Sequence, residues 1–277
     1  MKNDNSYART YFSFVLPNNH VLGRLRDPAT YLWLRELEDV FGDVPNKKIF
    51  DIGCGCGHKS LLLALLGAEV EGFDIDNYSI GICEESKKKI ELSINKGLNV
   101  KFFLSDVDCL SNYPDGHFDY ILCSEVIEHL PKSKADWFIE EMIRITKTNG
   151  IIFITTPNAE KIKLEKYIHR GHEYHWTIGE LKKAFSNYKI VKNVYESHPL
   201  LRNFNKFFYP LSATDRIFAK ARKIPMALKL CYRVVSFPFL FVFNHVIFHF
   251  LVFIFRNHEI PRRNQKSGLT IMFAVCR

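Results

Sequence analysis

A chain of 277 residues with 47% hydrophobic content is long enough for one large α/β domain with an elaboration, and it supplies a sizeable core. Seven scattered cysteines argue against a disulfide framework, and the polar start MKNDNSYART lacks a signal-peptide pattern, so cytoplasmic folding is the expectation. The net charge of +8 is localised: from Leu200 to Lys266 twelve Lys and Arg face only Asp215 and Glu259, and the remaining chain is slightly acidic.

Asp27-Pro28 joins an N-cap to a first-turn proline and opens a helix through ATYLWLRELEDVF, which Gly42 to Asn46 break. KKIFDIG is a short strand running into a glycine turn, HKSLLLALLG a helix ending at Gly67, and AEVEGFDID a second strand. Ile80 to Asn95 forms a helix whose Lys87-Lys88-Lys89 run is a solvated face. NVKFFLSD is a third strand, FDYILCS a fourth, Lys132 to Lys147 a helix and GIIFITTPN a fifth strand. This alternation implies right-handed βαβ units and a parallel sheet covered on both faces. Thr177 to Glu180 has capping-box form and opens a further helix. YKIVKNVYES and LTIMFAVC are two more strands, with the basic segment between them. The expected divisions are N-terminal cap helices in 1–46, a core in 47–199, a basic, Phe-rich insertion in 200–266 and a last core strand in 267–277.

DIGCGCG places Asp51 at the end of the first strand and Gly53, Gly55 and Gly57 at alternate positions before a helix. Glycine lets the backbone approach a ligand, and in an open α/β sheet this first turn faces the ligand crevice. The spacing is neither the G-x-G-x-x-G of a dinucleotide site nor a P-loop. Taken alone it reads equally as a corner in the chain. Asp74 ends the second strand in GFDID, placed for two ribose hydroxyls, and Asp106 ends the third in FLSDVD, placed for an adenine amino group. One acid at a strand end is usually a turn former; three at successive strand ends point to a ligand.

With these motifs and FDYILCSEVIEHL at the fourth strand, the chain resembles the class I S-adenosylmethionine-dependent methyltransferases from Lys47 to Tyr195 and again at Leu269 to Cys276. The resemblance implies an α/β, Rossmann-like sheet of seven strands, mostly parallel with an antiparallel last strand, helices on both faces and the insertion between strands six and seven. It further implies S-adenosylmethionine held by Asp51, Gly53, Cys54, Gly55, Gly57, Asp74, Ile75, Asp106, Val107 and Cys123. In that scheme Asp74 holds the ribose, Asp106 with Val107 reads the adenine, and backbone near Gly53 and Cys123 holds the methionine part. Cys54 and Cys56 read as small loop residues rather than a metal pair.

Glu125, Glu128 and His129 follow the fourth strand at i, i+3 and i+4, which on a helix projects all three from one face. Alone, the Glu128-His129 pair also reads as a turn making local hydrogen bonds. Farther on comes HRGHEYHWTIGEL. An E-x-x-E-H turn paired with a later His resembles two subgroups, the small-RNA 3′-terminal 2′-O-methyltransferases and the ubiquinone-pathway O-methyltransferases. That likeness carries the later His to His172, with His175 and His169 as rivals. It implies a divalent metal on Glu125, Glu128, His129 and His172, with Glu125, His129 and His172 also the catalytic candidates. Mg²⁺ comes first by resemblance, with Mn²⁺, Fe²⁺ and Zn²⁺ compatible with the ligand types. A metal on the acceptor hydroxyl would lower its pKa and fix its direction.

Val234 to Phe255 is an almost unbroken apolar run of 22 residues, and as a helix it would span about 33 Å. Flanking strands of one sheet require both ends of the insertion on the same side, which favours a hairpin or interfacial helices over a single crossing. The mixed basic and apolar stretch Arg216 to Arg233 suits an anionic lipid surface; a soluble lid over the site is the other reading. The leading expectation is a cytoplasmic, peripherally membrane-associated O-methyltransferase acting on an apolar or lipid-linked acceptor, such as an isoprenoid phenol or lipid-linked glycan. RNA 3′-end methylation and a non-catalytic scaffold are the alternatives. The basic segment would meet phosphates in the former, but its eight Phe between Phe237 and Phe255 make a poor phosphate groove.

Overall fold

Strands buried on both faces need near-continuous apolar runs, and the central strands have them. The computed structural model describes residues 37, 39–161, 171–196 and 270–277. The helix start at Asp27-Pro28, His169 and the basic insertion with its Val234 to Phe255 run lie outside the described residues. In chain order the elements are β1 (Lys48–Ile52), α1 (His58–Leu65), β2 (Glu69–Asp74), α2 (Asn77–Ile94) and β3 (Val100–Leu104). They continue with β4 (Phe118–Ser124), α3 (Lys132–Ile145), β5 (Thr146–Pro157), α4 (Ile178–Ala184), β6 (Lys189–Glu196) and β7 (Thr270–Cys276). Short 3-10 turns occupy Val107–Asn112 and Ile127–His129.

The seven strands order as β3-β2-β1-β4-β5-β7-β6. β1 to β5 pair in parallel and β7 runs antiparallel to both β5 and β6. Phe50, Ile52, Ile121, Cys123, Ile152 and Ile154 share one core with Ala135, Phe138, Ile139 and Met142 of α3. The alternate positions Ile49, Leu122 and Phe153 are equally buried, so the opposite face is covered as well. Truncating Leu122 to Ala would cost about 2–5 kcal/mol by transfer and cavity terms. Lys189 and Lys192 on the edge strand β6 discourage pairing with a further chain.

Several boundaries differ from the sequence expectation for local reasons. α2 begins at Asn77 rather than Ile80, because Asp76 caps it by accepting from the Tyr78 and Ser79 amides at 3.2 and 3.1 Å. Its buried stripe is Cys83, Ser86 and Ile90, and Lys88 and Lys89 face solvent. α3 stops at Ile145, and Thr146 is already extended and paired with Phe118, so β5 starts four residues before Gly150. Thr177 and Glu180 form the expected capping box. Among the described residues no helix is long and apolar enough to cross a membrane.

The order around β1 sets the position of the site. The chain leaves β1 for β2 on one side and returns to β4 on the other, which opens a crevice at the carboxyl ends of β1 and β4. Ile52 is level with Phe73 of β2 and Cys123 of β4, so the loops that follow all three strands meet there.

Candidate active site

The loop after β1 is built on left-handed backbone. Gly53, Gly55 and Gly57 have φ of 66°, 54° and 73°, a region that L side chains enter only at a cost of about 1–2 kcal/mol. Nothing stands within 4 Å of a Cβ placed on Gly55, so this stretch of backbone lies open to the crevice. The Gly55 amide donates to Asp74 Oδ2 at 2.8 Å, and the Asp76 amide donates to Asp74 Oδ1 at 3.0 Å. Each carboxylate oxygen has a second lone-pair direction, so the half-buried Asp74 is held in place while keeping acceptor capacity for a diol. α1 begins at Gly57 without a side-chain cap.

The other residues of the cofactor side fall into two groups. Ile75 and Asp106 are exposed at the ends of β2 and β3, and Asp106 accepts from the Asp108 amide at 3.0 Å, which opens the 3-10 turn above a buried Val107. Asp51, Cys54 and Cys123 are buried. Asp51 accepts from the Ser60 hydroxyl, and burial pushes its pKa up to about 6 against the pull of Ser60 and the Lys59 charge. The free thiols of Cys54 and Cys83 are within hydrogen-bonding reach, which with burial raises the Cys54 pKa, and the Cys54 amide donates to Phe73 O at 2.8 Å. Cys54 therefore anchors the loop with its side chain turned into the protein. Cys123 is wholly buried, which likewise raises its thiol pKa.

The turn after β4 corrects the helical-face expectation. Glu125 has φ 56°, left-handed backbone that is uncommon outside glycine, and only Ile127–His129 are helical, as a single 3-10 turn. Glu125, Glu128 and His129 are thus not on one helix face. They come together by a different route. The Glu125 amide donates to Thr155 O at 2.9 Å, while the Glu173 and Tyr174 amides both donate to Glu128 O at 2.8 and 3.1 Å. These two bonds lay the segment Gly171 to Trp176 across the turn. Glu128, His129 and His172 then present one ligand atom each within 4.8 Å of one another.

Glu125 is outside that trio but bonds to Thr155 and to Glu128. Its residue is exposed at the rim, yet protein crowding around the carboxyl raises its pKa. Glu128 is fully buried, and burial, then the Glu125 charge, push its pKa up to about 8. Thr156 Oγ1 donates to Glu128 Oε2 at 3.0 Å, but the buried Oε1 receives no hydrogen bond. His129 Nδ1 lies 2.9 Å from Gly171 O, a carbonyl that can only accept, so Nδ1 carries a proton and Nε2 is the nitrogen that offers a lone pair in the neutral ring. An orphaned carboxylate oxygen beside two imidazoles is the arrangement a divalent cation satisfies, so these residues fit a metal.

Matching to known families now decides the class. The methyltransferase domain family matches residues 43–205, more than half of the chain. The chain belongs to this family, in its class I, S-adenosylmethionine-dependent form. Curated relatives of this methyltransferase include the ubiquinone biosynthesis O-methyltransferases of Burkholderia pseudomallei (strain 1710b), 29% identical over 48% of this chain and 52% of that protein, and of Nitrosomonas europaea, 28% identical over 52% and 57%. The chain spans about half the length of the curated relatives it matches. Among solved structures, a SAM dependent methyltransferase from Archaeoglobus fulgidus has TM-score 0.55 at 20% identity, over 91% of this chain and 94% of that one. The [4+2]-cyclase SpnF has TM-score 0.56 at 17% identity, over 95% and 86%. Both likenesses establish the fold. The open glycine loop and the anchored Asp74 fit the cofactor of this class.

Several residues of the methyltransferase site had no assigned role in the sequence reading. Ser60 holds Asp51, and Thr155 and Thr156 hold the two glutamates. The signal for the threonines was present in the motif TTPN, at the end of the strand beside β4. The positive charge of Lys59 acts on both Asp51 and Glu125, and no spacing rule in the sequence marks it.

Proposed function

We propose that this protein O-methylates a hydroxyl of an apolar, membrane-borne acceptor, with S-adenosylmethionine as donor and a divalent metal at Glu128, His129 and His172, beside the Glu125 carboxyl that the sequence also marked as a ligand. The observation that carries the metal is Glu128, whose buried Oε1 has no donor and whose carboxylate groups with His129 and His172. When bound, S-adenosylmethionine supplies a methyl group on a sulfonium leaving group, and the metal supplies a Lewis acid that lowers the pKa of the acceptor hydroxyl. Asp74 holds the ribose, Asp106 and Val107 frame the adenine, and the Gly53 to Gly57 backbone with main chain near Cys123 holds the methionine part. Thr156 and the left-handed Glu125 backbone fix the two carboxyl groups before any ligand arrives. His129 presents Nε2 because Gly171 O occupies its Nδ1 proton. The trio has two imidazoles to one carboxylate, a donor set that suits Mn²⁺, Fe²⁺ or Zn²⁺ better than Mg²⁺.

Relatives named O-methyltransferases support oxygen as the acceptor atom. The basic, Phe-rich composition from Leu200 to Lys266 supports a peripheral membrane location and an isoprenoid phenol or lipid-linked glycan as acceptor. The test is radiolabelled methyl transfer into total lipid, glycan and RNA fractions, with and without chelator. Label in a lipid-extractable product, lost in chelator and in Glu125→Ala with cofactor binding intact, is the expected result. Label confined to RNA overturns the acceptor class, and label indifferent to chelator overturns the metal. Flotation with anionic vesicles checks the location: binding is expected, and its loss on deleting Phe237 to Phe255.

A further inference from the structure

His172 Nδ1 lies 2.8 Å from His175 Nε2, with the two rings inclined at 70°. Two imidazole nitrogens at that distance share one proton. If His172 donates it, His172 Nε2 carries a lone pair. If His175 donates it, His172 takes its proton on Nε2 and has no lone pair to offer a cation. The two arrangements have the same heavy atoms and opposite chemistry.

We infer that His175 is the positioning residue of the metal site: its Nε2 accepts from His172 Nδ1, which fixes the tautomer and ring direction that turn His172 Nε2 toward Glu128 and His129. This rests on the metal reading given above. Three observations support it. His129 shows the pattern expected of such a ligand, its Nδ1 proton held by Gly171 O at 2.9 Å, which leaves Nε2 as the nitrogen it can offer to the trio. His175 itself stands outside the trio, though it is 3 residues from His172 and in direct contact with it. It is also rigidly placed, only 6% exposed and followed by a buried Trp176 whose carbonyl accepts from the Ala159 amide at 3.0 Å. An acceptor on the outer nitrogen of a ligating imidazole orients the ring and raises its basicity, and losing it typically costs about 10–100-fold in metal affinity. His175 was a rival to His172 as ligand in the sequence; the geometry gives the two residues successive roles.

Two measurements on the full chain test this. Long-range proton–nitrogen NMR of the metal-free protein at pH 8 reads the tautomer of His172 directly: Nδ1–H is expected in the native chain and its loss in His175→Phe. Calorimetric titration with Mn²⁺ and with Zn²⁺ should show affinity about 10–100-fold weaker in His175→Phe, substantial rescue in His175→Gln, whose amide oxygen can accept, and unchanged S-adenosylmethionine binding in both. An Nε2–H tautomer in the native protein overturns the assignment whether or not metal binds. Equal metal affinity in native protein and both variants overturns it too. Native protein that binds neither metal while His172 is Nδ1–H instead defeats the metal reading and leaves the tautomer assignment standing. Should His175→Phe fail to fold, the native tautomer and the Gln variant still decide.

Discussion

The two sides of the crevice are prepared in opposite ways. At the ends of β1 to β3 the polar groups satisfy one another without a ligand: Asp74 accepts from Gly55 and Asp76, and Asp106 from Asp108. At the ends of β4 and β5 the arrangement is incomplete. Glu125 occupies left-handed backbone, Glu128 Oε1 has no donor, and crowding raises both carboxyl pKa values. The first side resembles a cradle that exists before its ligand. The second is held in an unfavourable state by its surroundings, as expected where a cation completes the site.

Replacing Asp74 by Ala breaks this contrast most severely. It removes the proposed acceptor for the ribose hydroxyls and the anchor of the Gly55 amide together. Two hydrogen bonds to a charged group at about 2 kcal/mol each correspond to roughly a thousandfold weaker S-adenosylmethionine binding. Calorimetry should show that loss while Mn²⁺ uptake by the second side persists. If the metal affinity fell equally, the two sides would be one cooperative unit.

Asp51 is next in expected size and is the exception on the cradle side, because it is buried with a pKa of about 6. Its folded pKa is raised above the ordinary carboxylate value, so the folded chain binds a proton that the unfolded chain has released. The associated stability is fully present below about pH 4 and is lost as pH rises through about 6, leaving a cost of about 3 kcal/mol at neutral pH. Asp51→Asn keeps an acceptor for Ser60 and removes that cost. Urea unfolding should find the variant about as stable as the native chain near pH 4 and more stable by up to about 3 kcal/mol at pH 7.5. The gain should come with weaker cofactor binding.

How much of this was legible before the structure follows the same division. The acids of the cradle each end a strand, so strand boundaries alone bring Asp74 and Asp106 to the crevice, and β4 lies where its apolar run FDYILCS begins and ends. The second side depends on contacts distant in sequence. Helical spacing picked out Glu125, Glu128 and His129, but the residues converge through a 3-10 turn and a left-handed residue instead. His172 reaches them because the Glu173 and Tyr174 amides bond to Glu128 O, and main-chain bonds leave no residue signature. Glutamate is not a residue that announces φ > 0, so the strain at 125 had no sequence signal.

Gly53 joins the two sides, which makes it a test of whether they are separable. A Cβ there would lie 2.5 Å from Val126 Cγ2, inside the turn that carries Glu125 and Glu128, whereas a Cβ on Gly55 meets nothing within 4 Å. Both positions pay the left-handed backbone cost of about 1–2 kcal/mol. Gly53→Ala should therefore destabilise more than Gly55→Ala, by a further 1 kcal/mol or so of overpacking, and only Gly53→Ala should weaken metal binding. Chemical unfolding and metal titration of the two variants give the comparison.

The smallest effect isolates the strain at Glu125. Changing it to Ala or to Gly removes the same carboxylate and the same bonds to Thr155 and Glu128, so turnover should be lost in both. The two variants differ in backbone preference: at φ 56° Ala retains the left-handed penalty and Gly does not. Gly at this position should be more stable than Ala by about 1 kcal/mol, the reverse of their order in a helix, where Ala is favoured by a similar amount. Thermal unfolding of the pair is thus a direct reading of the backbone at this residue. Ala more stable than Gly would mean a helical conformation at 125, returning Glu125, Glu128 and His129 to one helix face and removing the strain from the account of the second side.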